Sequence, residues 1–370
     1  MSNRIRQIAD LGQALWLDFI SRDLLRSGKL RALIDEGVSG VTSNPTILQK
    51  SVAAGSEYDE QIRSLATAGK STYEIYEALA FQDIAAAADE LRSVYDATGG
   101  GDGFVSLEVD PQLAHHTEKT ISEARRIFTT IARPNVMIKV PATDAGLPAI
   151  TALIGQGINV NVTLIFAIPM YERVMQAYLD GLRKLRQAGK PLDTVASVAS
   201  FFVSRIDTLT DKRLGEQIEK GQKDLEPLLG QAANASAKIA YDRYQAVFEG
   251  APFAELRAAG ARVQRPLWAS TSTKNPAYPD TKYVDPLIGP NTVNTLPPHT
   301  LDAVRDHGIA ARTIDQDVDQ AHAAMEKLRA AGIDFDAVTA ELLTAGVKAF
   351  ADSFEQLLAD IEAKRAKFTE

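Results

Sequence analysis

A chain of 370 residues, 45% hydrophobic and 24% charged, has the balance of a soluble globular protein able to bury a large core. Its net charge of -8 and pI near 5.3 argue against general binding to nucleic acid or to an anionic membrane surface. The absence of cysteine removes disulfides, thiolate metal sites and cysteine nucleophiles from consideration. The five histidines, His115, His116, His299, His307 and His322, show no His-x-x-x-His spacing, so no zinc site is expected. Met1 to Asp10 carries mixed charge with no apolar core after it, and no apolar run approaches membrane-spanning length. The expectation is a soluble cytoplasmic protein.

The opening residues to Gly12 read as a short helix or arm, followed by the apolar run Ala14 to Phe19, which one carboxylate, Asp18, interrupts. Ser21 to Asp35 has leucines at 24, 25, 30 and 33 and stops at Gly37, as a helix does. Val41 to Asn44 is a short strand closed by Pro45, and Thr46 to about Ala97 is helical with a break near Gly69. Within it Ser71 and Glu74 fit a capping box. The glycines from Gly99 to Gly103 precede a strand, where a phosphate loop would follow one, so they read as a turn. The strand is Phe104 to Val109, and a helix from Thr117 to Ala132 leads to the run Asn135 to Thr143. Thr143 or Asp144 is expected to cap the helix after it.

Gly157 to Phe166 is a fifth strand, Val195 to Val203 a sixth, Leu267 to Ser270 a seventh and Thr292 to Thr295 an eighth. Helices separate them, one with Met170, Val174, Tyr178 and Leu182 on one face, one from Ile206 and one from Ala232 to Phe248. The tail from Thr313 is helical, with Leu343, Val347, Phe350, Phe354, Leu357 and Ile361 as an apolar stripe read as core packing, a subunit contact being the alternative. Eight short strands alternating with helices point to a closed (β/α)8 barrel. No Gly-x-Gly-x-x-Gly turn follows the first strand, which counts against an open doubly wound sheet. No linker or repeat divides the chain, so 1–370 reads as one domain, with C-terminal helices over 313–366 packed on the barrel.

In such barrels chemistry sits at the C-terminal ends of the strands. Those ends carry Asp18, Asn44, Glu108, Lys139, Asn161 with Thr163, Ser200 with Arg205, and Ser270 with Lys274. Lysine is rarely buried, so Lys139 within Met137-Ile138-Lys139-Val140 either pairs with a carboxylate or serves as a neutral amine that attacks a carbonyl. The others have plain roles too. Asp18 or Glu108 can neutralise Lys139, Asp110 can cap the next loop, Asn44 can shape a turn, and Asn161 and Thr163 can bond each other or backbone. Arg205 near a helix start opposes the dipole, which favours an anionic ligand. As a set around one lysine, they favour a site.

That set comes with segments that resemble the transaldolase family in its longer bacterial form. They are Trp16-Leu17-Asp18, Thr42-Ser43-Asn44-Pro45-Thr46, Ser106-Leu107-Glu108-Val109-Asp110, Met137 to Thr143, Asn161 to Phe166, Ser200 to Arg205 and Trp268 to Asp280. The resemblance implies a class I aldolase barrel without cofactor or metal, whose strand-four lysine, Lys139, forms a Schiff base with a ketose phosphate. It further implies that Glu108, with Thr163 holding a water, moves protons during dehydration. Asp18 takes the proton from the hydroxyl of the bond that breaks. Asn44 and Asn161 hold the dihydroxyacetone unit, Ser200 and Arg205 bind the phosphate, and Ser270 and Lys274 are further substrate-binding positions.

One segment departs from the family pattern. Where many members carry Ser-x-Arg-Asn after strand seven, this chain has Ser270-Thr271-Ser272-Thr273-Lys274-Asn275, with two extra residues and a lysine. Lys274 is either a point-charge substitute for that arginine or a solvated loop lysine. Three rivals stand beside a transferase. A fructose 6-phosphate aldolase tends to have glutamine at Glu108 and tyrosine at Phe202. A non-catalytic sugar-phosphate-binding barrel is expected to lose Lys139 or a carboxylate. A metal-dependent aldolase needs histidine ligands. The partners implied are phosphorylated sugars, with no nucleic acid or membrane, and a homodimer stays open.

Overall fold

Eight short runs rich in Val, Leu, Ile and Phe form eight strands, β1 (Gln13–Leu17), β2 (Gly40–Thr42), β3 (Phe104–Glu108), β4 (Val136–Pro141), β5 (Val160–Ile165), β6 (Ser197–Phe202), β7 (Gln264–Ala269) and β8 (Thr292–Leu296). The computed structural model describes residues 3–368, so the extreme ends of the expected 1–370 domain lie outside the described residues. The strands pair in parallel in chain order and β1 closes on β8, which gives the expected (β/α)8 barrel. Nearly every strand residue is buried, because helices cover the outer face and side chains fill the inner one.

Successive strand residues point to opposite faces, so one parity of each strand fills the interior. Trp16 plugs the lower interior, with its Nε1 donating to Asp102 Oδ1 at 2.9 Å and its ring 6.4 Å from that of Phe104. Gly40, the register partner of Trp16, leaves room for the indole. The inward positions nearer the C-terminal ends are polar: Asp18, Thr42, Ser106, Glu108, Lys139, Asn161, Thr163, Ser200 and Thr295. Pairing of Glu108 with Lys139, and of Lys139 with Asn161, sets three of these side by side.

Glycines cut the helical stretches more finely than periodicity indicates. Gly28, at φ +76°, splits the expected Ser21–Asp35 helix into Arg22–Arg26 and Lys29–Glu36. The Thr46–Ala97 stretch is four helices, Pro45–Ala54, Asp59–Thr67, Thr72–Glu90 and Arg92–Ala97. The Ser71–Glu74 capping box is present, and Gly99–Gly103 forms the expected turn. Asp144 caps nothing and pairs with Arg173, whereas Thr143 Oγ1 accepts from Gly146 N at 2.9 Å as the helix Gly146–Gln156 begins. The helix expected from Ile206 begins at Ser204, and the tail is two helices, Val318–Ala330 and Phe335–Ala366.

The last helix crosses the C-terminal mouth of the barrel. Its Glu341 pairs with Arg213 at 2.7 Å and its Gly346 lies against Leu164. Farther on, Ser353 Oγ accepts from Thr46 Oγ1 at 2.8 Å, the Phe354 ring meets that of Tyr76 at 5.0 Å, and Lys364 pairs with Asp59 at 2.6 Å. No helix among the described residues is long and apolar enough to cross a membrane.

A Cβ on Gly40 would stand 2.5 Å from the Trp16 ring, which packing holds in place. Gly40→Ala is therefore expected to cost about 1–3 kcal/mol by overpacking. A thermal or urea melt checks this; an unchanged midpoint would mean that the lower barrel gives way easily.

Candidate functional site

At the C-terminal ends of the strands lies a cavity of about 310 Å3. Of the residues expected there from sequence, Asp18, Asn44, Lys139, Asn161, Thr163, Ser200, Arg205, Ser270 and Lys274 line it. Glu108 is not on the wall; it is buried behind Lys139.

Lys139 projects from β4, 6% exposed, and its Nζ donates to the Ser43 carbonyl at 2.8 Å. Its carboxylate neighbour is Glu108, with Oε2 at 3.5 Å. Asp18, the other candidate counter-ion, instead accepts from Thr42 Oγ1 at 2.7 Å, and Thr42 is bonded in turn to Thr295 at 2.6 Å. Burial pushes the pKa values of both carboxyls up. For Asp18 this is opposed by the Thr42 hydrogen bond and by the charges of Lys139, Arg205 and Lys274, and for Glu108 chiefly by Lys139. The two acids thus sit in different settings, one against the amine and one on the cavity wall.

The neutral groups divide between fixed and free. Asn161 Nδ2 donates to Ser106 Oγ at 3.1 Å, and its Oδ1 accepts from Ser200 Oγ at 2.6 Å, so it bonds neither Thr163 nor backbone with its side chain. Thr163 Oγ1 and Glu108 Oε2 are buried with no hydrogen-bond partner among the described residues, Oε2 having only the 3.5 Å ion pair with Lys139. Two such atoms beside Lys139 suit a bound water or substrate hydroxyl. Leu164, next in the chain, is held at φ +59° where the β5–β6 register shifts, a strained position adjoining Thr163. Asn44 Oδ1 caps the helix Pro45–Ala54 through Ile47 N at 2.9 Å, while its Nδ2 has no partner among the described residues. Asp110 is a cap and no more, accepting from Gln112 N at 2.9 Å.

Arg205 and Lys274 bring cations to the cavity wall. Arg205 opens the helix Ser204–Glu219, which no side chain caps, and its guanidinium lies 5.3 Å from the Phe202 ring centroid. It forms no ion pair among the described residues, and burial pulls its pKa down. Ser270, at φ +55°, turns the chain out of β7 and bonds Ser204 Oγ at 3.0 Å. Lys274 reaches back to the wall and donates to Ser272 Oγ at 2.7 Å. The loop that carries it is pinned to the Ser204–Glu219 helix: Tyr278 Oη donates to Asp211 at 2.7 Å and Tyr283 Oη to Asp207 at 2.9 Å, with the Asp207 carboxyl raised to about 6 by burial. An anchored loop places Lys274 on the wall despite its longer spacing.

The model of the Transaldolase/Fructose-6-phosphate aldolase family matches residues 15–361. The chain belongs to that family. A transaldolase of Thermobifida fusca is 49% identical over all of both chains. Transaldolase 2 of a Nostoc species is 46% identical over 98% of this chain and 97% of its own. Transaldolase 1 of Streptomyces coelicolor is 48% identical over 96% and 93%.

Membership explains a shared barrel but not every wall of this cavity. Thr42, Thr46, Ile47, Lys50, Thr271, Ser272, Thr295, Pro297, His299 and Phe350 also line it and were not singled out from sequence as site residues. Thr42 and Thr295 were legible in principle, as polar residues at inward positions of apolar strands. Phe350, assigned to a core stripe, is buried in the core as expected and also comes over the mouth on the last helix, with its ring centroid 5.8 Å from Lys139 Nζ. No local signal marks that second position, since Phe354, Leu357 and Ile361 on the same stripe are buried core away from the cavity. No group of three or more acidic or histidine side chains among the described residues is placed to hold a metal.

Proposed function

We propose that the chain is a transaldolase, a transferase moving a dihydroxyacetone unit from a ketose phosphate to an aldose phosphate through a Schiff base on Lys139. The observation that carries this reading is the buried Lys139 Nζ on the cavity wall, between the Ser43 carbonyl and Glu108. Sedoheptulose 7-phosphate or fructose 6-phosphate serves as donor and glyceraldehyde 3-phosphate or erythrose 4-phosphate as acceptor, in non-oxidative pentose phosphate metabolism.

The Lys139 amine attacks the keto carbon, and Glu108 gives a proton, through a water held by Thr163, to the hydroxyl that leaves. Asp18 as carboxylate then takes the proton of the hydroxyl next to the scissile bond. The bond breaks, its electron pair passes into the imine, and the aldose phosphate departs. Asn44 Nδ2 and Asn161 bind the hydroxyls of the retained unit; the Ser106 and Ser200 bonds to Asn161 hold it at one orientation. Arg205 presents a planar fork to the phosphate, Lys274 adds a point charge, and Ser270 shapes the wall between them.

With these roles we propose that 1–370 acts as one barrel unit, its last helix part of the site. A cytoplasmic location is proposed with them, since charged sugar phosphates stay in the compartment that makes them. A homodimer is the assembly to test for.

In an assay of fructose 6-phosphate with and without erythrose 4-phosphate, sedoheptulose 7-phosphate is expected only with the acceptor. Rapid release of free dihydroxyacetone in its absence would instead make the protein an aldolase. Asp18 works only when ionised, and its pKa is raised, so kcat/KM falls on its acid side above the ordinary carboxylate value of about 4. Thr42→Val removes a hydrogen bond that lowers this pKa and shifts the acid limb to higher pH; a limb that stays put would remove Asp18 from the role of base.

A further inference from the structure

The covalent intermediate has to outlast the departure of one aldehyde and the arrival of the next. That demand falls on whatever borders the Lys139 nitrogen. On one side stand Glu108 and the Ser43 carbonyl, both polar. On another stands the Phe350 ring, its centroid 5.8 Å from Nζ and its side chain on the cavity wall. It is the one aromatic residue that the last helix contributes to that wall.

The helix is fixed on both sides of this ring. One turn before it, Gly346 packs so closely that a Cβ there would stand 2.9 Å from Leu164 Cδ2. One turn after it, Ser353 is bonded to Thr46 and Phe354 packs against Tyr76. Phe350 is 7% exposed, so the ring is held over the amine rather than swinging in solvent. An aromatic face is compatible with a cationic imine and offers water no hydrogen bond.

We infer that Phe350 is a specificity-determining wall residue that keeps water from the Lys139 adduct, and so decides between transfer to an acceptor and release of free dihydroxyacetone. The inference rests on the Schiff-base reading of Lys139. After cleavage, Asp18 holds the proton and the adduct is a neutral enamine. In transfer, its nucleophilic carbon bonds to the acceptor aldehyde carbon, and the aldehyde oxygen takes the proton from Asp18. In loss, that same carbon takes the proton, which leaves an iminium. Water then adds to the iminium carbon, the carbon–nitrogen bond breaks with its electron pair on nitrogen, and both water protons end on the Lys139 ammonium. The new ketose also leaves Lys139 by water addition to its iminium, so the routes differ in whether water and a proton reach the three-carbon adduct before an acceptor does.

The test is the ratio of dihydroxyacetone released to sedoheptulose 7-phosphate formed, with fructose 6-phosphate as donor and erythrose 4-phosphate as acceptor. Phe350→Ala and Phe350→Gln are expected to raise that ratio several-fold, and Phe350→Leu, which keeps the site apolar, to leave it near the parent's. Borohydride trapping of the donor-derived adduct on Lys139 is run on the parent and each variant. An adduct on Lys139 with an unchanged ratio in the glutamine variant overturns the role of Phe350 alone. No adduct in the parent overturns the Schiff-base reading beneath it. If the alanine variant does not fold, the glutamine and leucine pair decides, and equal ratios for the two refute the inference.

Discussion

A lysine side chain in an apolar barrel needs a partner, and that need organises the upper half of this molecule. Lys139 meets it with one backbone carbonyl and one carboxylate at 3.5 Å. Both come from neighbouring parts of the barrel, Ser43 after β2 and Glu108 at the end of β3. Parallel pairing of β3, β4 and β5 sets Glu108, Lys139 and Asn161 in one row, so the position of the amine depends on the register of three strands. Removing one partner from a buried ion pair is costly, about 3–5 kcal/mol, so the row depends on both residues staying in register.

Around that row the barrel sorts its polar groups by freedom. Ser106, Asn161 and Ser200 form a chain of hydrogen bonds that leaves little to rotate, whereas among the described residues Thr163 Oγ1 and Asn44 Nδ2 have no hydrogen-bond partner and Glu108 Oε2 has only the ion pair with Lys139. Asp18 is tied through Thr42 to Thr295, which carries its orientation across the closure between β1 and β8. Arg205 and Lys274 come from an uncapped helix start and from a loop pinned by Tyr278 and Tyr283, and both charges bear on the Asp18 carboxyl.

Much of this was legible in sequence because parallel barrel strands are buried on both faces. A polar residue inside such a run stands out, as Asp18, Glu108, Lys139, Asn161 and Thr163 do, and all eight strands could be found the same way. Helix breaks were less legible: Gly28 divides a helix through which leucine spacing runs on, and Gly55 ends one inside a stretch read as continuous. Phe350 was legible as core and not as a cavity wall. Its stripe has the periodicity of a core helix, and only the path of that helix across the mouth turns one member of the stripe into a wall. Asn44 shows the reverse, since it sits at the strand-to-helix turn expected of Asn-Pro, caps the helix there and is also a cavity residue. Lys274 needed the tertiary fold, because an extended loop reaches the cavity only when its far end is anchored.

The proposed transfer requires covalent chemistry at one nitrogen, Lys139 Nζ. The direct measurement is to incubate the protein with fructose 6-phosphate, reduce with borohydride and map the added mass by peptide mass spectrometry. The account predicts a three-carbon adduct on the peptide that carries Lys139, and none when Lys139 is changed to methionine. An adduct on another lysine, or no adduct while turnover continues, would contradict it.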